Sequence, residues 1–154
     1  MSDDIPLDPN EPVVTLHIGF LLMPEYTLTT FSNAIGMLRM ANRLSGRELY
    51  RWSTYGLTGE PVVSSAGLEV RLNGSLDSAT DVKILFVCGG YNIKQHCNKL
   101  LLDRLRGFAK NKIPLGGLCT GSYALAAAGL LDGYRCTIHW ENLASMREEF
   151  PKLQ

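Results

Sequence analysis

The sequence predicts an α/β fold built on a mainly parallel sheet with helices on both faces. Three observations carry that expectation. Short runs that are apolar throughout alternate with runs whose apolar residues recur every three or four positions, as when doubly buried strands alternate with amphipathic helices. Near the middle of the chain an apolar run passes through Gly117-Leu118-Cys119-Thr120-Gly121 straight into an alanine- and leucine-rich run, which reads as a strand turning sharply into a helix. Three segments placed at strand ends carry turn residues or a bend, namely Pro24-Glu25-Tyr26, Gly89-Gly90-Tyr91 and the bend at Cys119. Ligands of parallel sheets bind beyond the carboxyl ends of the strands.

Taken in order, residues 1–12 hold Asp3, Asp4, Asp8 and Glu11 with three prolines and predict a flexible tail, followed by one domain over residues 13–154. Residues 13–23 are mostly apolar with β-branched members, a buried parallel strand that Pro24 ends. A helix is expected over residues 27–44, where Leu28, Phe31, Ile35, Leu38 and Ala41 share a face, with Gly46 suited to its stop. Residues 50–57 read as a second strand. Short strands are expected at 62–63 and 68–72, around Ser64-Ser65-Ala66-Gly67, and a turn at Asn73-Gly74. Residues 83–88 form a compact apolar strand broken by Gly89-Gly90. A helix follows over 100–108, with Leu101, Leu105 and Phe108 on one side. After the Cys119 bend and its helix, a short strand is expected at 135–138 and a last helix over 142–150.

The totals exclude several classes. The chain has 154 residues, with 45% hydrophobic and 19% charged content, and 15 basic residues balance 15 acidic ones. That is a composition for a soluble domain without an electrostatic footprint for nucleic acid. Cys88, Cys97, Cys119 and Cys136 form no C-x-x-C pair and no zinc spacing, so reduced thiols in a cytoplasmic protein are expected, with no metal and no cofactor. The acidic, proline-bearing start is unlike a signal peptide, and no run is long enough for a membrane span.

The candidate chemistry centres on Cys119. A cysteine at a strand–helix junction is often only a small buried residue. Here flanking glycines and the helical run set it at a helix mouth, where backbone N–H groups favour negative charge. His139 lies 20 positions later, room for one helix and a return strand, so thiol and imidazole can face one sheet edge. Such a pair can act as nucleophile and base, and Glu141 can orient the ring. The alternative is a surface histidine beside Trp140. His17, within the first strand, and His96, in a polar loop, are given no role. A backbone N–H from Gly89-Gly90 and that of Thr120 can form a two-donor anion hole, which holds a carboxylate as readily as an oxyanion; a Gly-Gly after a strand is often only a tight turn. Tyr26, Tyr91, Tyr123 and Trp140 fall beside expected pocket edges, and aromatic faces suit a quaternary ammonium; aromatics are equally common as packing residues.

With these residues in view, the chain resembles the class I glutamine amidotransferase-like superfamily, and more narrowly the N-terminal sensor domain of GlxA-type AraC-family transcriptional regulators. The resemblance runs over most of residues 13–151. It rests on Ile18-Gly19-Phe20-Leu21-Leu22, Leu38-Arg39-Met40-Ala41-Asn42-Arg43, Leu49-Tyr50-Arg51-Trp52, Gly89-Gly90, Gly117-Leu118-Cys119-Thr120-Gly121, Ala127-Ala128-Gly129-Leu130-Leu131-Asp132-Gly133 and Thr137-Ile138-His139-Trp140-Glu141.

The resemblance implies a flavodoxin-like three-layer sandwich that senses a small metabolite, in a homodimer that meets DNA only through a C-terminal helix-turn-helix domain. That domain and a final strand are expected to be absent from this chain. Members tied to betaine, carnitine or arginine catabolism read most like it. The expected ligand contacts are Gly89, Gly90, Tyr91, Cys119, Thr120, His139 and Trp140, with no catalytic residue and no membrane partner. One departure separates the chain from the superfamily's protease and deglycase branch, which the resemblance says carries a carboxylate in the first helix. Thr30 stands there, with Glu25 the nearby acid, and a threonine exchanges no proton near neutral pH. The alternatives are an amidase or glyoxalase-like hydrolase using Cys119, His139 and Glu141, and a redox sensor using Cys119 alone.

Overall fold

The structure, a computed structural model, describes residues 14–154; the expected tail at residues 1–12 lies outside them. In chain order the elements are β1 (Leu16–Leu22), α1 (Leu28–Ser45), β2 (Tyr50–Gly56), β3 (Gly74–Ser75), β4 (Ile84–Cys88), α2 (Ile93–His96), α3 (Lys99–Lys110), β5 (Leu115–Leu118), α4 (Gly121–Ala127) and α5 (Leu143–Glu149). Single 3-10 turns lie at Leu76–Ser78 and Trp140–Asn142.

The strands form one all-parallel sheet in the order β3-β2-β1-β4-β5. Chain growth runs outward from β1 to β2 and β3, then jumps back to β4 on the other side of β1. The β1/β4 junction is therefore the topological switch point, where open parallel sheets leave a crevice at their carboxyl ends. β1 is central, and all of it after Leu16 is buried, which is why its sequence is apolar on both faces. Its side chains alternate between two cores. Ile18, Phe20 and Leu22 pack with Phe31 of α1, while Leu21 and Met23 pack with Leu101, Leu105 and Ala124 from α3 and α4. The result is α1, sheet, and α2–α5: three layers of the flavodoxin-like kind.

Local signals explain most boundaries. α1 stops at Gly46, whose φ of 66° closes the helix in the left-handed region. α3 starts at Asn98, whose side chain accepts from the Leu101 N–H, a standard N-cap.

Three expectations fail. Residues 62–63 and 68–72 form no strands beyond an isolated Val63–Glu69 bridge. Thr54 Oγ1 donates to the Arg71 carbonyl and Asn73 accepts from the Thr54 N–H, so side chains occupy backbone groups that a ladder would need. Residues 135–138 form no strand and stand outside the sheet. Their neighbourhood bonds to the end of the chain instead, with the Cys136 N–H donating to the Gln154 carbonyl and the Gln154 N–H to the Tyr134 carbonyl. His96 closes the short helix α2 and does not sit in a loop.

His17, given no role, is a buried polar link at the opposite end of the sheet. Its Nε2 lies 2.9 Å from Ser53 Oγ and its Nδ1 lies 3.0 Å from Asp81 Oδ1, and Arg51 also reaches Asp81. The link ties β1 and β2 to the segment before β4.

Candidate functional site

The bend after β5 is steric in origin. A Cβ on Gly121 would stand 1.9 Å from the Val87 carbonyl oxygen, so the first turn of α4 rests directly on the β4 backbone. The chain can reverse that abruptly only if a residue between strand and helix enters left-handed space. Cys119 does so, with φ at 56°. For a residue with a side chain this costs about 1–2 kcal/mol, a strain that proteins retain mainly where a side chain must be presented.

The loops after β1 and β4 meet the bend from the other side. A Cβ on Gly90 would fall 1.8 Å from the Glu25 carbonyl oxygen. The Thr27 N–H donates to the Gly89 carbonyl and the Tyr91 N–H to the Glu25 carbonyl, which stitches the two loops together. Glu25 itself has φ at 59°. Its carboxylate accepts from Asn92 Nδ2 at 2.8 Å and faces His96 Nε2 at 3.5 Å, and these two contacts hold it below the ordinary carboxylate range. Thr120 Oγ1 donates to the Gly90 carbonyl at 2.8 Å, and Thr27 Oγ1 donates to Cys119 Sγ at 3.3 Å.

Above this floor lies a cleft of about 720 Å³ lined by Thr27, Thr29, Thr30, Ser65, Gly90, Tyr91, Asn92, Cys119, Thr120, His139, Trp140, Glu141 and Asn142. It brings together Cys119 and His139 with Gly90, Tyr91, Thr120, Trp140, Glu141 and Thr30. Gly89 is beneath the floor and does not line the cleft; a Cβ there would meet Thr120 Oγ1 at 2.4 Å. Tyr26 is fully buried in the α1-side core, and Tyr123 is buried on the other side of the sheet, so neither lines a cage. Tyr91 and Trp140 do line the cleft, with 64% and 75% of their surface open. Sequence reasoning missed Thr27, Thr29, Ser65, Asn92 and Asn142. Thr27 was the findable one, because a threonine just ahead of a helix at a strand's carboxyl end faces any ligand there.

The cleft is nearly neutral. Among the described residues Glu141 is its only acidic wall residue, and no lysine or arginine lines it. His139 Nδ1 lies 3.6 Å from Glu141 Oε2, near enough for electrostatic attraction but beyond a hydrogen bond. Among the described residues no hydrogen bond joins His139 to Cys119, and the N–H groups of Gly90 and Thr120 have no acceptor. Cys88 and Cys97 stand apart chemically: burial pushes both thiols up, Cys97 to about 11, which leaves them poor nucleophiles. No group of three His, Cys, Asp or Glu side chains among the described residues could hold a metal ion.

Comparison with known proteins agrees with the fold. Residues 20–151 match the DJ-1/PfpI family. The HTH-type transcriptional regulator GbdR of Pseudomonas aeruginosa is 48% identical over 136 residues, covering 88% of this chain and 37% of the regulator. The HTH-type transcriptional regulator GlxA of Rhizobium meliloti is 37% identical, covering 88% of this chain and 42% of that protein. This chain therefore spans less than half the length of either regulator. A crystal structure of an AraC family transcriptional regulator from Pseudomonas putida superposes with a TM-score of 0.77 at 30% identity, covering 90% of this chain and 75% of that one. Enzymes occur among the relatives too: isonitrile hydratase of Pseudomonas putida is 28% identical, covering 82% of this chain and 54% of the enzyme. On these matches and on its five-stranded parallel fold, the chain belongs to the DJ-1/PfpI family, in company with HTH-type and AraC-family transcriptional regulators.

Proposed function

We propose that this chain is the ligand-sensing part of an AraC-family transcriptional regulator, binding a small amino-acid- or betaine-like metabolite in the cleft at the β1/β4 switch point. The observation that carries the reading is the cleft's mismatch with catalysis and its match with a zwitterion. Cys119 and His139 share the space without a hydrogen bond, and Thr30 lines it at the first-helix position where the resemblance expects the enzymes' acid. The acceptor-free N–H groups of Gly90 and Thr120 suit a ligand carboxylate. Tyr91, Trp140 and Glu141 suit a cationic end, to which aromatic faces contribute about 0.5–2 kcal/mol.

In this reading the protein works in the cytoplasm as a homodimer, and DNA contact belongs to a separate helix-turn-helix domain. The balanced charge of this chain fits that division. Ligand binding shifts a pre-existing equilibrium between arrangements of the dimer.

A thermal-shift screen with glycine betaine, carnitine, choline and arginine tests the proposal. A ligand at a hundred times its dissociation constant adds about 2.7 kcal/mol, a shift of several degrees for a domain of this size. Trp140→Ala should abolish it. No shift with any of the four would refute the betaine- or amino-acid-like assignment.

A second reading, a thiol hydrolase with Cys119 as nucleophile and His139 as base, draws support from the strained Cys119 backbone and the Thr27 hydroxyl on its sulfur. Turnover of amides or α-oxoaldehydes that disappears in Cys119→Ser would replace the sensor reading with this one.

A further inference from the structure

Three of the loops that bound the cleft are followed at once by short helices: the Gly90–Asn92 turn by α2, the Cys119–Thr120 bend by α4, and the His139–Asn142 turn by α5. A single carboxylate on the far side joins those three helices. Glu149, in the last turn of α5, accepts through Oε2 from the Tyr123 hydroxyl of α4 and through Oε1 from Lys94 Nζ of α2. Lys94 Nζ also stands 5.6 Å from the centre of the Tyr123 ring, and Phe150 meets that ring edge-on at 5.2 Å. None of Glu149, Tyr123 and Lys94 lines the cleft.

We propose that Glu149 is a positioning residue: it sets the spacing of the three cleft loops by clamping the helices that carry them, one bond to each neighbour. The hydrogen bond to Tyr123 dominates, since its donor is buried and its acceptor charged. The Lys94 pair is half exposed and contributes the smaller part. A carboxylate is the right group, because it offers two acceptor oxygens to donors arriving from different helices. The inference concerns the geometry of the cleft and holds whichever ligand, or none, occupies it.

Hydrogen–deuterium exchange on the protein and its Glu149→Gln, Tyr123→Phe and Lys94→Met variants tests it without ligand. In Glu149→Gln, exchange should rise about tenfold at residues 90–96, 119–124 and 139–149 together, the effect of losing one hydrogen bond to a charged group, while β1 and β4 stay protected. Tyr123→Phe should loosen 119–124 and 139–149 but spare 90–96, and Lys94→Met should loosen 90–96 and 139–149 but spare 119–124. Iodoacetamide labelling of Cys119, read by peptide mass, should change several-fold in Glu149→Gln and Tyr123→Phe and stay unchanged in Lys94→Met. Faster exchange confined to α5 would reduce Glu149 to a local tether and overturn the proposal; an equal rise in β1 and β4 would show general loosening and overturn it as well. If Glu149→Gln does not fold, the opposite patterns of the other two variants decide the matter.

Discussion

The hydroxyl of Thr27 lies 3.3 Å from the sulfur of Cys119, across 92 positions of sequence. The contact joins the end of the β1 loop to the bend after β5. A hydroxyl that donates to sulfur stabilises negative charge there. Thr27→Val keeps the shape and removes the donor, so alkylation of Cys119 by iodoacetamide at pH 7 should slow by up to about tenfold. Peptide-resolved labelling rates check this, with the free, half-buried Cys136 as the internal reference.

Glycine substitutions should separate floor from surface. Gly90→Ala and Gly121→Ala each push a methyl group against a carbonyl oxygen, Glu25 in one case and Val87 in the other. Val87 cannot retreat without opening the sheet, and Glu25 cannot without parting the two stitched loops, so each change should cost about 3 kcal/mol or more. Gly36 lies within α1 with open space where a Cβ would go, so Gly36→Ala should stabilise by about 0.5–1 kcal/mol. Urea unfolding midpoints measure all three.

Acid should weaken the Glu149 joint. Lys94 and the Tyr123 hydroxyl hold the Glu149 carboxyl below its ordinary value of 4.5. A depressed carboxylate adds stability that is complete above the unfolded value and lost as pH falls through the lower folded one. Urea midpoints should therefore fall from about pH 4.5 downward, and Glu149→Gln should flatten part of that slope. An unchanged slope in the variant would exclude the joint as its source.

Tyr26 offers a test of opposite sign. Its ring is fully buried against Phe31, and its hydroxyl has no hydrogen-bond partner among the described residues. Removing an unsatisfied buried hydroxyl while keeping the ring relieves a desolvation cost of about 1–3 kcal/mol. Tyr26→Phe should thus be at least as stable as the parent, measured by the same midpoints.

Much of this arrangement was readable in the residues themselves. Doubly buried strands leave continuous apolar runs, so β1 and β4 are plain, and the three turn signals mark the carboxyl-end crevice. Gly117-Leu118-Cys119-Thr120-Gly121 announced the bend because only a sharp strand-to-helix turn needs glycine on both sides. What stayed hidden depended on distant partners. Tyr26 and Tyr123 looked like Tyr91 in local context, and only the packing of α1 and α5 decides that two are buried and one faces the cleft. Residues 135–138 carry a strand-like pattern, but a strand also needs a neighbour, and theirs is the end of the chain. His17 and His96 showed nothing locally because Ser53, Asp81 and Glu25 lie 36, 64 and 71 positions away.

Gly90 pressed on one main chain and Gly121 pressed on another mean that the cleft is bottomed by peptide groups. Peptide groups are the same in every relative, so divergence cannot easily retune that surface. Any change of ligand preference among related proteins must be written into the walls, at positions such as 91, 140 and 141. Swapping those positions between relatives should transfer preference, leaving the shared base untouched.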